Sequence, residues 1–340
     1  MAHARALLPS SNVKVQSSAI HNRLEPLSAN SGFAWGMLGV LAFSFTVPLT
    51  RIAVQHGAMS PLFVGSGRAV VAALLAAGAL AVTRQRLPRG VEWGRLLIVA
   101  GGVVIGFPLL TTYALTTTSA AHSAVVIALL PAATAVVSVL RTGERPPSRF
   151  WFAAALGAVA AVAFAGLQGD GLGTLHISDL LLIGAVVAAA VGYAEGGLLT
   201  RELGAWQTIS WALVAASPLM VALTAVSVAT GPPVAGPTEW ASFAYLAAVS
   251  MFLGFFAWYR GLAIGPMAQV SQTQLTQPVL SILWAALLLH ERLTWPTVLG
   301  GGAVVVCALS AVRSRTGNPG ATEPAASPHA DARQSSSTVA

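Results

Sequence analysis

The stretch LLPAATAVVSVLRTGER at 129–145 returns in outline as TQPVLSILWAALLLHER at 276–292. Pro131 and Pro278 stand 147 residues apart, and so do Glu144 and Glu291 (278 − 131 and 291 − 144). Each copy is an apolar run with a proline in its first half and a Glu-Arg pair just past its end. Landmarks that share one offset read as one structural unit used twice. A weaker echo agrees, since Leu49-Thr50-Arg51 recurs as Leu199-Thr200-Arg201.

The chain around these copies is equally apolar. Of its 340 residues 55% are hydrophobic and 9% charged, and its mean hydropathy is +0.73. An average soluble domain carries roughly 25% charged residues, so the composition is that of an integral membrane protein. A pI of about 10.7 raises the question of nucleic acid. The arginines, however, are scattered over short loops between apolar runs and line no polar face, which argues against such a partner. The one cysteine, Cys307, lies inside the last apolar run, which excludes a disulfide framework and a cysteine-based metal site.

Crossing a bilayer takes about 20 apolar residues at a rise of 1.5 Å each. Ten runs qualify: Phe33 to Val54, Pro61 to Val82, Leu96 to Leu115, Ala120 to Leu140, Phe150 to Leu167, Leu180 to Thr200, Thr208 to Val228, Trp240 to Leu262, Ala268 to Leu289 and Pro296 to Val312. They are continuously apolar rather than alternating, which excludes a closed β-barrel. The expected architecture is all-α, with ten transmembrane helices in two inverted five-helix repeats. Residues 1–32 form a flexible cytoplasmic tail, 33–167 the first repeat, 168–313 the second and 314–340 a disordered cytoplasmic tail.

Inversion follows from the charges. With the N-terminus cytoplasmic, the inner segments hold Arg84, Arg86, Arg89, Arg95, Arg141, Arg145, Arg149, Arg201 and Arg260, while the outer loops carry Asp170, Asp179, Glu239 and Glu291. An odd number of helices per copy then makes the second copy enter the membrane the other way up, related by a pseudo-two-fold axis in the membrane plane. Both termini are expected in the cytoplasm.

Two five-helix halves, each closing with proline, apolar run, Gly/His-Glu-Arg and one more short helix, resemble the EamA-type transporters of the drug/metabolite transporter superfamily. The resemblance covers residues 33–313, with His290 standing where glycine is usual. It implies a carrier of the bacterial inner membrane, usually an exporter of amino acids, other metabolites or toxic compounds, with a central cavity between the halves.

The residues point the same way. A P-loop ATPase needs a lysine in its phosphate loop, and the only lysine, Lys14, lies in the polar tail. His122 and His290, the histidines near helices, belong to no ligand-spaced motif, so neither enzyme chemistry nor a cofactor is expected. Polar groups inside the spans become the candidates, because a charge in lipid costs at least ~2.5 kcal/mol.

Glu195, in GYAEGG on the sixth run, lies about five residues or 7.5 Å from the cytoplasmic end. It reads either as a proton-carrying or cation-binding group or as a structural acid paired with an arginine, for which Arg260 has the right depth. Gly192, Gly196 and Gly197 thin the helix around it. Arg68, about seven residues or 10 Å below the outer surface, either attracts a substrate carboxylate or snorkels outward as an anchor. Gln274 and Gln277 share a helix face beside Pro278, where a missing N–H frees a carbonyl one turn earlier. Pro131 breaks the fourth run equivalently, and paired breaks point to a midplane site. Trp35, Tyr113, Tyr193, Trp258 and Tyr259 are candidate cavity-lining aromatics, whereas Trp93, Trp206, Trp240 and Trp295 read as interface anchors. Gly300, Gly301 and Gly302, with the small residues from Ala153 to Gly166, suit close helix packing and leave a homodimer open.

The expectation is therefore a secondary transporter, exporting a small metabolite or drug-like compound by alternating access with proton exchange at Glu195. An uncoupled facilitator of the same fold is one alternative, and a membrane-embedded enzyme or sensor subunit is another.

Overall fold

The computed structural model describes residues 31–143, 147–167, 176–264 and 273–316. Glu144, Arg145, Asp170, Gln272 and, of the expected tails, residues 1–30 and 317–340 lie outside the described residues, whereas 31–32 and 314–316, expected in the tails, are helical. The rest is helical, with no strand among the described residues. The helices are α1 Ser31–Gly57, α2 Pro61–Val82, α3 Val91–Ala114 and α4 Ala120–Arg141, then α5 Ser148–Leu167, α6 Ile177–Leu203 and α7 Ala205–Thr230. They are followed by α8 Pro237–Gly261, α9 Thr273–Leu289 and α10 Trp295–Thr316. Seven of them, α1 to α4 and α6 to α8, are long and apolar enough to cross a membrane, and α9 and the Trp295–Cys307 part of α10 are shorter apolar helices.

Local chemistry sets the helix ends. Ser60 caps α2, accepting from the Phe63 N–H at 3.1 Å ahead of Pro61 at the first position, and Ser119 caps α4 through the His122 N–H at 3.1 Å. The second half of α4 stops at Gly143 with φ +71°, and α9 stops at His290 with φ +54°. One left-handed C-cap thus closes both copies of the repeated unit, and the histidine adopts the conformation that glycine takes freely.

α1 is interrupted at Phe45 and ends in a 3₁₀ turn at Gln55–Gly57, and four further helices are irregular in pairs. α4 breaks between Ile127 and Leu130, just before Pro131. α9 begins as a 3₁₀ turn, Thr273–Thr276, and becomes α-helical at Gln277 beside Pro278. α3 carries a π-helical stretch at Ala100–Gly106, and α8 carries one at Tyr245–Leu253. Fourth and ninth, third and eighth helices therefore loosen at corresponding places, where proline or a π turn leaves backbone groups to neighbours. Pro48 on α1 shows how such a group is satisfied. With no N–H at Pro48, the Ser44 carbonyl accepts instead from Ser281 Oγ on α9 at 2.8 Å, while Trp284 Nε1 donates to Ser44 Oγ at 2.9 Å.

The packing pairs α2 with α7 and α5 with α10; α6 lies against α3 and α4, as α1 lies against α8 and α9. Exchanging each helix for the one five places on leaves this pattern unchanged. Glycines permit the closest approaches. A Cβ on Gly102 of α3 would stand 2.4 Å from the Ala188 carbonyl oxygen and 2.8 Å from Gly192 Cα on α6. Both obstacles are backbone, so the helices would have to separate. Gly102→Ala is expected to destabilise the fold by about 1–3 kcal/mol, read as an earlier unfolding midpoint in detergent. Gly78→Ala, at a site where the added Cβ meets nothing within 4 Å, should leave the midpoint unchanged or raise it.

The small residues of α5 and α10 are used inside the chain. A Cβ on Gly157 would meet Cys307 Cβ at 3.2 Å, and one on Gly301 would meet Ile282 and Val125 side chains.

Candidate functional site

The paired irregularities surround a cavity. It lies between α1, α2, α3, α4, α6, α8 and α9, and a smaller one shares Val47, Leu130 and Gln277 with it. Its walls are apolar and aromatic, chiefly Phe43, Phe107, Met251 and Phe255. The polar groups that reach it are few. Thr46 and Ser250 line it with their hydroxyls hydrogen-bonded to each other at 2.7 Å, and Tyr193 lines it from α6.

Arg68 is the one charged side chain among the described cavity residues. It is only 1% exposed, so its guanidinium does not reach the surface as an anchor. Its Nε and Nη2 find no hydrogen-bond partner among the described residues, and it makes no ion pair with any of them. Gln274 Nε2 and Gln277 Oε1 are also unpartnered among the described residues. Such groups are expensive to keep in an apolar interior, and a charged one inside a span is by default a candidate for function.

Pro131 and Pro278 both line the smaller cavity, beside Gln274, Gln277 and Ser281. Arg68, Tyr193, Gln274, Gln277 and the two prolines thus form one neighbourhood.

Glu195 does not belong to it. Two residues on from Tyr193, it is turned about 200° around α6, away from the cavity. Its buried carboxylate, 3% exposed, joins three helices: Arg95 Nε on α3 donates to Oε1, and Arg141 Nε on α4 donates to Oε2 at 2.8 Å. Arg95 Nη1 continues to Glu202. The expected partner Arg260 is elsewhere, with its guanidinium 5.2 Å from the Trp35 ring centroid. Arg95 and Arg141, at the ends of their helices, take the place of Arg260 because their stems are long enough to turn back into the bundle. Two of the glycines near Glu195 serve neighbouring helices: Gly192 lies against Gly102 of α3, and Gly196 lies against the Tyr259 hydroxyl of α8, while Gly197 faces open space.

Tyr259 is buried beside Phe255, 5.8 Å between ring centroids, outside the cavity wall. Trp258 is buried against Gly39, Trp35 meets Phe256, and Tyr113 is exposed, so Tyr193 alone of the five candidate aromatics lines the cavity.

The opposite end of α4 and α6 has its own ties. His122 Nε2 and Asp179 Oδ1 are 2.7 Å apart, and the Glu291 carboxylate accepts from the Ala120 and Ala121 N–H groups at 2.8 and 2.9 Å. Glu291 therefore neutralises the first free amides of α4, where the helix dipole favours negative charge. Ion-pair and capping contacts thus close both ends of a bundle whose middle holds a guanidinium with no partner among the described residues. Sequence reasoning missed Thr46 and Ser250, whose only signal was a small polar residue in each of two apolar runs.

The sequence pattern of the EamA-like transporter family matches this chain twice, over residues 30–166 and 176–313. The chain belongs to the EamA-like transporter family. It is 44% identical over 283 residues, 83% of this chain and 97% of the relative, to the "Uncharacterized transporter YdeK" of Bacillus subtilis (strain 168). A protein of known crystal structure, 19% identical, covers 85% of this chain and 98% of its own with a TM-score of 0.58, which is a likeness of fold alone. Membership makes this EamA-like chain a multi-pass membrane transporter.

Proposed function

We propose that this protein is a secondary transporter of the bacterial cytoplasmic membrane that exports a small organic solute by alternating access. Its ten helices form two inverted five-helix repeats, with both termini in the cytoplasm. The observation that carries the reading is the fully buried Arg68, without a partner among the described residues, in an apolar cavity that Leu130 and Gln277 from the broken parts of α4 and α9 also line. A rigid packed bundle gains nothing from such a group, whereas a site that receives a solute needs it.

Three further features support the same reading. Helix contacts keep their pattern when each helix is exchanged for the one five places on, as two-fold related repeats require. Arg84, Arg86, Arg89, Arg95, Arg141, Arg149 and Arg201 cluster where the positive-inside rule puts the cytoplasm. The polar ties at the two ends of α4 and α6 are suited to open one at a time around the cavity.

Glu195 is assigned to the cytoplasmic tie rather than to proton carriage, because both of its carboxylate oxygens are taken by arginines. The test is counterflow in proteoliposomes loaded with unlabelled anionic, neutral or cationic small solutes. Labelled solute of at least one class should accumulate transiently against excess unlabelled solute inside. Folded protein that exchanges no solute of any class would overturn the reading.

A further inference from the structure

The orphaned guanidinium atoms are not an arbitrary pair. Nε and Nη2 form the side-on edge of arginine, one of its two edges that offer two parallel N–H groups, and a fork that matches a carboxylate with two N–H···O bonds. On Arg68 both atoms of that edge lack a partner among the described residues, and the side chain borders the cavity. No acidic residue lines the cavity among the described residues, so nothing there answers a cationic or zwitterionic solute's ammonium group. Beyond the fork the walls are Val47, Val103, Phe107, Met251 and Phe255, which favour an apolar body. Gln277, with its Oε1 unpartnered, stands across the same cavity for one further polar group.

We propose that the Nε–Nη2 edge of Arg68 seats the carboxylate of an organic monoanion whose apolar body fills the cavity between α1, α3 and α8. This rests on the transporter reading above and narrows its substrate to weak organic acids without a compensating ammonium group. A bidentate, charge-assisted contact with a charged donor contributes about 1.5–3 kcal/mol, so an acid should bind about 10- to 100-fold more tightly than its amide.

The test uses the full chain in detergent and three acids of increasing body size, butanoate, phenylacetate and indole-3-acetate, each with its amide and its amine. At least one acid should raise the unfolding midpoint and compete in counterflow at concentrations about 10- to 100-fold below its amide and amine. Arg68→Gln should abolish that preference for the acid over the amide, and Arg68→Lys should keep a reduced preference, since lysine offers charge without the fork.

Equal response to acid and amide, no response to any acid, or a preference that survives Arg68→Gln overturns the proposal. Counterflow without a charge preference would sink this inference while leaving the transporter reading intact. Acid binding that depends on Arg68, with no movement of any solute, would do the reverse.

Discussion

Arg68→Met protein is expected to unfold at a higher temperature than the wild type and to transport at least about 100-fold more slowly. Both effects come from one fact: Arg68 is 1% exposed and two of its nitrogens have no partner among the described residues. Each buried unsatisfied donor costs about 1–3 kcal/mol. An unbranched apolar side chain of similar length keeps most of the packing volume and removes that penalty. The expected gain is about 1–3 kcal/mol, read as a later unfolding midpoint in detergent.

The loss of transport follows from removing the charge-assisted contact that the cavity is built to make. Opposite signs for stability and activity are the signature of a group retained for function. If Arg68→Met were destabilised and still active, Arg68 would be a structural residue.

Glu195→Gln is expected to destabilise the protein by about 1–3 kcal/mol, between the range for a buried ion pair and that for an exposed one. The glutamate is 3% exposed, but its partners differ, Arg95 at 17% and Arg141 at 53% side-chain exposure. Solvent therefore screens the Arg141 arm, and most of the loss should come through Arg95. The carboxylate joins α3, α4 and α6, so its removal should also loosen the cytoplasmic end. Any dependence of transport on a proton gradient should persist in the variant. A stable Glu195→Gln protein that had lost only its gradient dependence would restore Glu195 as the proton carrier.

Much of the framework is legible in the residues because it depends on one-dimensional rules. Continuous apolar runs mark the helices, and the 147-residue offset marks the repeated unit. Prolines mark the breaks, since a missing N–H acts wherever it falls. Pro131, beside the break within α4, and Pro278, near the start of α9, were readable for that reason.

The pairing of charges was not readable, because it depends on which helix faces which. Glu195 and Arg260 have matching depths in the sequence, yet α6 presents Glu195 to α3 and α4, and α8 presents Arg260 to Trp35. Depth fixes a position along a helix, and only rotation about the axis fixes a neighbour. Tyr193 and Glu195, two residues apart on α6 and on opposite sides of it, separate the cavity from the tie. Thr46 and Ser250 were hidden for the same reason, since 204 residues separate them in the chain.

Alternating access is tested most directly by a single cysteine at Ala189, which lines the cavity and is 1% exposed, introduced into a Cys307→Ser background. A membrane-impermeant maleimide applied from either side of oriented vesicles reports which way the cavity opens. Alternating access predicts labelling from both sides, and it predicts that Glu195→Gln raises the rate from the cytoplasmic side while lowering it from the other. Rates that rise together, or labelling from one side alone in both proteins, would contradict it.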